Sequence, residues 1–304
     1  MESIIGNKFE REPSFEMSSV EREKNVTSSI NLKFFRHAEK EKDKTKTDEE
    51  IGITETGKKQ AIERSEEEDL SQVVAFGSSR KRTQQTAGLV MAGQLSEITG
   101  EESLDELKAK LAKDLRFGEK IGVDDRLNFY QDFTTEFGKK MLEVFSKQQF
   151  LKFLVEESDK LAYQLNDPKA ETYSYEASRI AEIIMKYIKI APRWDRLVED
   201  TEKGYDSTLK RFLGSHQGII EPFLLKVVEK TKGIAERDNL VAALDNMGFD
   251  FVDGFDVKIE TTNEGKQRIR ILYKREKDGK ILFEYDETVP REIIEEMIVK
   301  TTQG

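Results

Sequence analysis

Two short apolar runs, residues 30–35 and 73–76, are each followed by a polar loop and then by a segment that starts like a helix. In the first unit, Thr54 or Thr56 can offer a hydroxyl to the free amides of a first helical turn, and the helix runs to about Glu68. In the second, the helix opens at Arg82 and runs through Val90. Strand, helix, strand, helix predicts parallel strand pairing with right-handed crossovers. Residues 209–213 and 219–228 repeat the strand-to-helix unit later in the chain.

The segments between and beyond these units have other periods. From about residue 95 to 205 the apolar residues recur at three to five positions, as in Leu104-Leu107-Leu111 and Ile180-Ile183-Ile184-Tyr187-Ile188. Phe145, Phe150, Phe153 and Leu154 continue the stripe, and this stretch is expected to form a largely helical cap. Beyond Gly248 the period changes to two. Phe255-Val257-Ile259, Ile269-Ile271-Tyr273 and Ile281-Phe283-Tyr285 put alternate side chains on one face, with turns at Asn263-Glu264-Gly265 and Lys277-Asp278-Gly279. The expected fold class is therefore α/β: a mostly parallel central sheet flanked by helices, a helical cap insertion at 95–205, and a C-terminal antiparallel β-meander with a closing helix at 249–304. Residues 1–29 read as a polar N-terminal arm and 30–304 as a single α/β domain. The pattern leaves open whether the meander joins the main sheet.

Charge narrows the partners. With 50 Lys and Arg against 60 Asp and Glu the chain carries a formal net charge of −10, which disfavours non-specific binding to nucleic acid or anionic lipid. Any anion site must be locally cationic. There is no Cys, which excludes disulfides, thiolate metal sites and a Cys nucleophile. Residues 1–30 lack the apolar stretch of a signal peptide and no run is long enough to span a membrane, so a cytoplasmic location is the default expectation. The sequence does not give the oligomeric state.

The chain has only two histidines, and both follow apolar strand-like runs, where catalytic groups of open α/β sheets collect. One lies in Phe34-Phe35-Arg36-His37-Ala38-Glu39-Lys40, the other in Leu213-Gly214-Ser215-His216-Gln217-Gly218. Arg36 stands beside His37, and Arg82 offers a second cation. Two imidazoles and two guanidiniums suit a phosphate site. Two histidines are too few for a His-rich metal site, and no Gly-rich Lys-Ser/Thr loop of a kinase or P-loop type occurs. No metal or other cofactor is expected.

Four blocks, in order, resemble the histidine phosphatase superfamily, the phosphoglycerate-mutase-like proteins of branch 1 type. They are Arg36-His37-Ala38-Glu39-Lys40, the stretch from Ile53 to Ala61 with Thr54, Gly57 and Gln60, the stretch from Ser78 to Ala87 with Arg82, Gln85 and Thr86, and Ser215-His216-Gln217-Gly218. The resemblance covers about residues 30–90 and 208–230. It implies a metal-independent phosphomonoester hydrolase, a histidine acid-type phosphatase, in which His37 attacks phosphorus and becomes phosphohistidine. Arg36, Arg82 and His216 would hold the phosphoryl oxygens, with Gln217 a further phosphate contact. A small phosphorylated substrate or a phosphoprotein would be the partner.

Alignment on Gln85-Thr86-Ala87 selects Arg82 over Arg80 for the clamp and leaves Arg80 as a solvated loop cation, with Ser78 as a turn hydroxyl. The general acid departs from the family pattern. Phe129 and Gln217 occupy the positions where its branches carry an acid, so the nearest candidates are Asp125, the one assigned, and its neighbours Asp124 and Asp132; the alternatives are an acid elsewhere in the cap, or a preference for substrates with good leaving groups. Glu221, early in the helix after His216, would oppose an anion if it faced the pocket, and is expected to point away or pair with a cation. Two alternatives remain: a non-catalytic module that binds a phospho-ligand, and, ranked lower, a phosphoglycerate-mutase-type phosphotransferase.

Overall fold

The computed structural model describes residues 25–67, 69–111 and 119–298. Seven strands, β1 (Val26–Arg36), β2 (Val73–Gly77), β3 (Ile121–Val123), β4 (Thr208–Ser215), β5 (Gly254–Thr262), β6 (Gln267–Lys277) and β7 (Lys280–Thr288), form one sheet in the order β3-β2-β4-β1-β5-β6-β7. The first four are parallel, and β5 joins the edge of β1 in antiparallel register. The meander therefore extends the main sheet. Its two hairpins turn where expected: Gly265 has φ 72°, and Asp278 and Gly279 have φ 53° and 73°, the left-handed pair that a two-residue hairpin needs.

The helices are α1 (Glu55–Glu63), α2 (Lys81–Ala92), α3 (Leu104–Leu111), α4 (Glu136–Ser146), α5 (Phe150–Phe153), α6 (Asp159–Leu165), α7 (Tyr173–Glu199), α8 (Glu221–Lys232), α9 (Ile234–Ala243) and α10 (Arg291–Met297). Thr54, not Thr56, caps α1, taking the Gly57 amide on its side-chain oxygen at 3.0 Å. That helix stops at Glu63, short of the expected Glu68.

Strand alternation separates two apolar layers. Ile30, Leu32 and Phe34 face a core shared with α7 and α8, whereas Phe35 and Phe212 face a second core with α1, α2 and α3. The α/β expectation holds, with helices on both faces of a mixed sheet. Ile180, Ile183, Ile184 and Ile188 of α7 are almost wholly buried, and each such side chain contributes about 1.5–3 kcal/mol of transfer free energy.

Two elements differ from their sequence readings. Residues 26–29 of the expected arm are strand, because their hydroxyls find partners: Thr27 and Ser28 donate to Asp195 at 2.7 and 2.6 Å, and Ser29 meets Thr208 at 3.0 Å. The rest of that arm, residues 1–24, lies outside the described residues. Within the expected helical cap, β3 is an edge strand of three residues with one buried side chain, Ile121, which is too short to show a period. Among the described residues, no helix is long and apolar enough to cross a membrane.

Candidate active site

Parallel register brings the two histidines together. Arg36, the last residue of β1, is paired with Ser215, the last of the adjacent β4, so His37 and His216 leave neighbouring strands side by side. Their ring centroids are 5.3 Å apart and the rings meet edge to face. The backbone amide of His37 donates to the Ser215 carbonyl at 2.8 Å, which continues the ladder into the site.

The next strand, β2, carries Ser78 at its carboxyl end and leads into α2, which holds Arg82. That helix sits unusually close to the sheet. A Cβ on Gly77 would stand 2.5 Å from the Gln84 amide nitrogen, and one on Gly214 would stand 2.6 Å from the Thr83 carbonyl oxygen. Bare glycines at these two places let the start of α2 approach the strand ends.

The protonation pattern of His37 follows from its neighbour. Its Nδ1 lies 2.7 Å from the Ala38 carbonyl oxygen, which can only accept, so the proton sits on Nδ1 and the lone pair of the neutral ring on Nε2. Burial, opposed in part by that hydrogen bond and helped by Arg82, Arg36 and Lys40, lowers the pKa from 6.5 to about 3. His37 is neutral over the whole physiological range.

His216 is held by a hydroxyl chain. Its Nε2 lies 2.9 Å from Ser78 Oγ, Ser78 Oγ lies 3.0 Å from Thr83 Oγ1, and Thr83 donates to the Arg80 carbonyl at 2.8 Å. A run of donors from His216 through Ser78 and Thr83 to that carbonyl satisfies every member, since Ser78 also takes the Arg80 amide at 3.2 Å. This leaves Nδ1 as the His216 nitrogen available to a ligand. Burial, then the charges of His37, Arg82, Arg80 and Lys40, push its pKa well below 6.5.

Around the imidazoles stand four cations. Arg36 donates to the Phe249 carbonyl at 2.7 Å and lies over the Phe251 ring at 4.4 Å. Arg82 grips Asp48 with both terminal nitrogens, at 3.0 and 3.1 Å. Arg80 reaches the same carboxylate at 2.8 Å, and Lys40 lies 3.8 Å from it. Burial acts to raise the Asp48 pKa, but Arg82, Arg80 and Lys40 outweigh it and hold the group ionised below its usual range. The buried Nε atoms of Arg36, Arg80 and Arg82 have no hydrogen-bond acceptor among the described residues. The three arginines themselves line one cleft, and their forked terminal donors suit an oxyanion ligand.

These groups line a cleft of about 830 Å³, together with Glu39, Gln131, Gln217 and an apolar wall from α4, α5 and the loops. Of the residues singled out in the sequence, Arg36, His37, Arg82, His216 and Gln217 meet there. Gln217 is only partly available, because its side-chain nitrogen donates to the Met247 carbonyl.

Asp125 does not line the cleft. Arg179 donates to the carbonyl oxygens of Asp125 and Asn128, which pins this turn to α7 by its backbone and leaves the Asp125 side chain exposed. Asp124 is paired with Arg126 at 2.9 and 2.6 Å, and Asp132 caps a turn through Thr134. None of the three acids expected near this segment is at the site.

Arg80 is no solvated loop cation: it shares Asp48 with Arg82. Ser78 is more than a turn hydroxyl, since it orients His216. Both sit in the block that contains Arg82, yet their roles depend on contacts with Asp48 and His216, far off in sequence. Glu221 is fully buried and turned away from the cleft. Its carboxylate accepts the amides of Gly218 at 2.8 Å and Phe249 at 3.0 Å, tying the His216 loop to the loop that holds Arg36. Burial, only partly offset by these amides and Arg36, raises its pKa to about 7.

Residues 32–144 match the family described as histidine phosphatase superfamily (branch 1). No curated protein matches the chain. Among solved structures, the phosphoserine phosphatase of Entamoeba histolytica, in complex with 3-phosphoglyceric acid, is similar at 14% identity and a TM-score of 0.42, over 79% of this chain and 94% of that one. A mycobacterial glucosyl-3-phosphoglycerate phosphatase is similar at 14% identity and a TM-score of 0.36, over 80% of this chain and 96% of that one. Over residues 32–144, which supply Arg36, His37, Ser78 and Arg82, the chain carries the signature of the histidine phosphatase superfamily, branch 1.

Proposed function

We propose that the protein is a metal-independent phosphomonoester hydrolase, a histidine acid-type phosphatase, that works through a phosphohistidine on His37. The observation that carries this reading is the fixed tautomer of His37. A neutral ring presents its lone pair on Nε2 while Arg36, Arg82, Arg80 and Lys40 supply the positive field that a phosphoryl dianion needs.

Nε2 forms a bond to phosphorus as the P–O bond to the leaving group breaks, and the departing oxygen keeps the electron pair and takes a proton from solvent. Water then attacks phosphorus, the P–N bond breaks, its electron pair returns to Nε2, and the proton lost by water passes to solvent. Arg36 and Arg82 hold equatorial oxygens with planar forked donors, and His216, whose Nε2 proton goes to Ser78, hydrogen-bonds a third oxygen through Nδ1 once the bound dianion draws a proton onto that nitrogen. Loss of either arginine should slow the reaction by about 10²-fold or more.

The test is hydrolysis of an activated aryl phosphate with EDTA present, in the wild type and in His37→Ala, followed by rapid quench with labelled substrate. Activity that depends on His37 and an acid-labile phosphoryl adduct are expected. Full activity in the variant, or a strict divalent-metal requirement, would reject the mechanism. Activity without an adduct would replace it by direct attack of water.

A second reading, a module that binds a phospho-ligand without turning it over, is favoured by two observations. One of the two cleft carboxylates, Asp48, is locked in an ion pair rather than free to act as an acid, and the assigned acid Asp125 is elsewhere. Tight phosphate binding with no turnover of any ester would favour it.

A further inference from the structure

We infer that the substrate class of this cleft is aryl phosphomonoesters, an inference that rests on the phospho-ligand reading of the site. Two independent features of the cleft lead there.

The first is its wall. Phe129, Phe133, Leu142, Phe145, Phe150 and Phe251 line the cleft beside the histidines and arginines. Phe133, Leu142, Phe145 and Phe251 remain 37–49% exposed. The sequence of α4 explains why they stand there. Phe137, Met141 and Val144 form one face and are buried in the core, while Leu142 and Phe145 fall on another face and reach the cleft. The rings also order one another: Phe145 meets Phe150 edge to face at 5.6 Å, and Phe129 meets Phe133 at 5.8 Å. A compact, hydroxyl-rich leaving group would leave this wall unused, whereas an aromatic ring would bury area against its ordered rings. The volume, about 830 Å³, leaves room for such a group beside the phosphoryl.

The second feature concerns the proton. The carboxylates that line the cleft among the described residues are Glu39 and Asp48. Asp48 is kept ionised by Arg82 and Arg80, and Glu39 accepts the Thr54 hydroxyl at 3.0 Å. Asp48 is therefore not available to protonate the leaving oxygen, which leaves Glu39 as the other cleft carboxylate among the described residues, and a group that departs as a stable oxyanion depends least on either. A phenol ionises near pKa ~10, as tyrosine does, against about 16 for water and comparable values for simple alcohols. The apolar wall and the locking of Asp48 by arginines thus favour the same chemistry.

Binding and turnover are measured separately, so that this inference and the hydrolase reading can fail independently. Titration calorimetry compares a naphthylmethyl phosphonate with methylphosphonate, neither of which can be hydrolysed. The aryl compound is expected to bind at least about tenfold more tightly to the wild type. In a Leu142→Ser/Phe145→Ser variant, at sites exposed enough to spare the fold, that preference should vanish while methylphosphonate affinity stays, because no charge is added to the cleft. Equal affinity for the two compounds, or a preference that survives the double substitution, overturns the inference.

Turnover of aryl and alkyl phosphomonoesters should favour the aryl members in kcat/KM by a larger factor than binding does. Equal rates for the two classes would also overturn it. Aryl-selective binding without any turnover upholds the inference and rejects the hydrolase reading. Faster reaction with a phosphotyrosyl peptide than with 1-naphthyl phosphate would assign the aryl group to a protein substrate, and the reverse to a small molecule.

Discussion

Asp48 gives the sharpest test of the cleft's electrostatics, because its carboxylate sits where a phosphoryl oxygen pair would be gripped. It makes two charge-assisted hydrogen bonds with Arg82, at 3.0 and 3.1 Å, and an ion pair with Arg80 at 2.8 Å. Well-desolvated bonds of this kind contribute roughly 1.5–3 kcal/mol each. The Asp48 side chain is 41% exposed, so solvent screens it and a net of about 1–2 kcal/mol remains for the set. Phosphate must compete with that interaction to engage Arg82. In Asp48→Asn the negative charge is gone and the shape is kept, so inorganic phosphate should bind about 5- to 30-fold more tightly. Titration calorimetry at low salt measures this, and the gain should shrink as salt is added. Unchanged or weaker binding would refute the reasoning, and would mean that Asp48 shapes Arg82 for the ligand rather than competing with it.

Two further outcomes are expected. The His37 pKa is depressed in the folded protein, so its contribution to stability is complete above pH 6.5 and is lost as pH falls toward about 3, at about 1.4 kcal/mol per pH unit; urea unfolding at pH 7.5 and 5.5 should therefore show a smaller pH dependence in His37→Asn than in the wild type, by about that amount, and an equal dependence would contradict the buried neutral ring. Ser78→Ala removes the partner of His216 Nε2, and should lower kcat on an activated aryl phosphate about tenfold with KM nearly unchanged, because it frees the ring without emptying the arginine clamp; a change confined to KM would show that Ser78 acts on binding instead.

Much of the site was legible because its residues announce themselves locally. His37 and His216 are the chain's only histidines, and each follows an apolar run, so their place at strand ends could be read directly. Arg82 was recognisable from its block. Arg80 was not, because its role rests on Asp48 from a charged loop whose composition resembles any solvated surface. Asp125 was misplaced for a similar reason. Sequence puts it near a family position, but the Arg179 contacts that turn its side chain outward come from α7, more than fifty residues away. The strand character of residues 26–29 was hidden in the same manner, since Asp195 and Thr208 make their hydroxyls acceptable in the sheet.

By itself the sequence determined the periodicities: the β-α alternation, the helical stretch, the change to strands after Gly248, and which side chains bring imidazole and guanidinium groups to strand ends and helix starts. Those are local properties, set by spacing and residue type within one element. Tertiary structure alone decided that β5 pairs with β1, that Ser78 meets His216, that Asp48 bridges Arg80 and Arg82, and that α4 lends Leu142 and Phe145 to the cleft. Each of these is a meeting between segments distant along the chain. No periodicity encodes such a meeting; it arises only when burying the two apolar layers fixes the strand order and brings the helix ends against it.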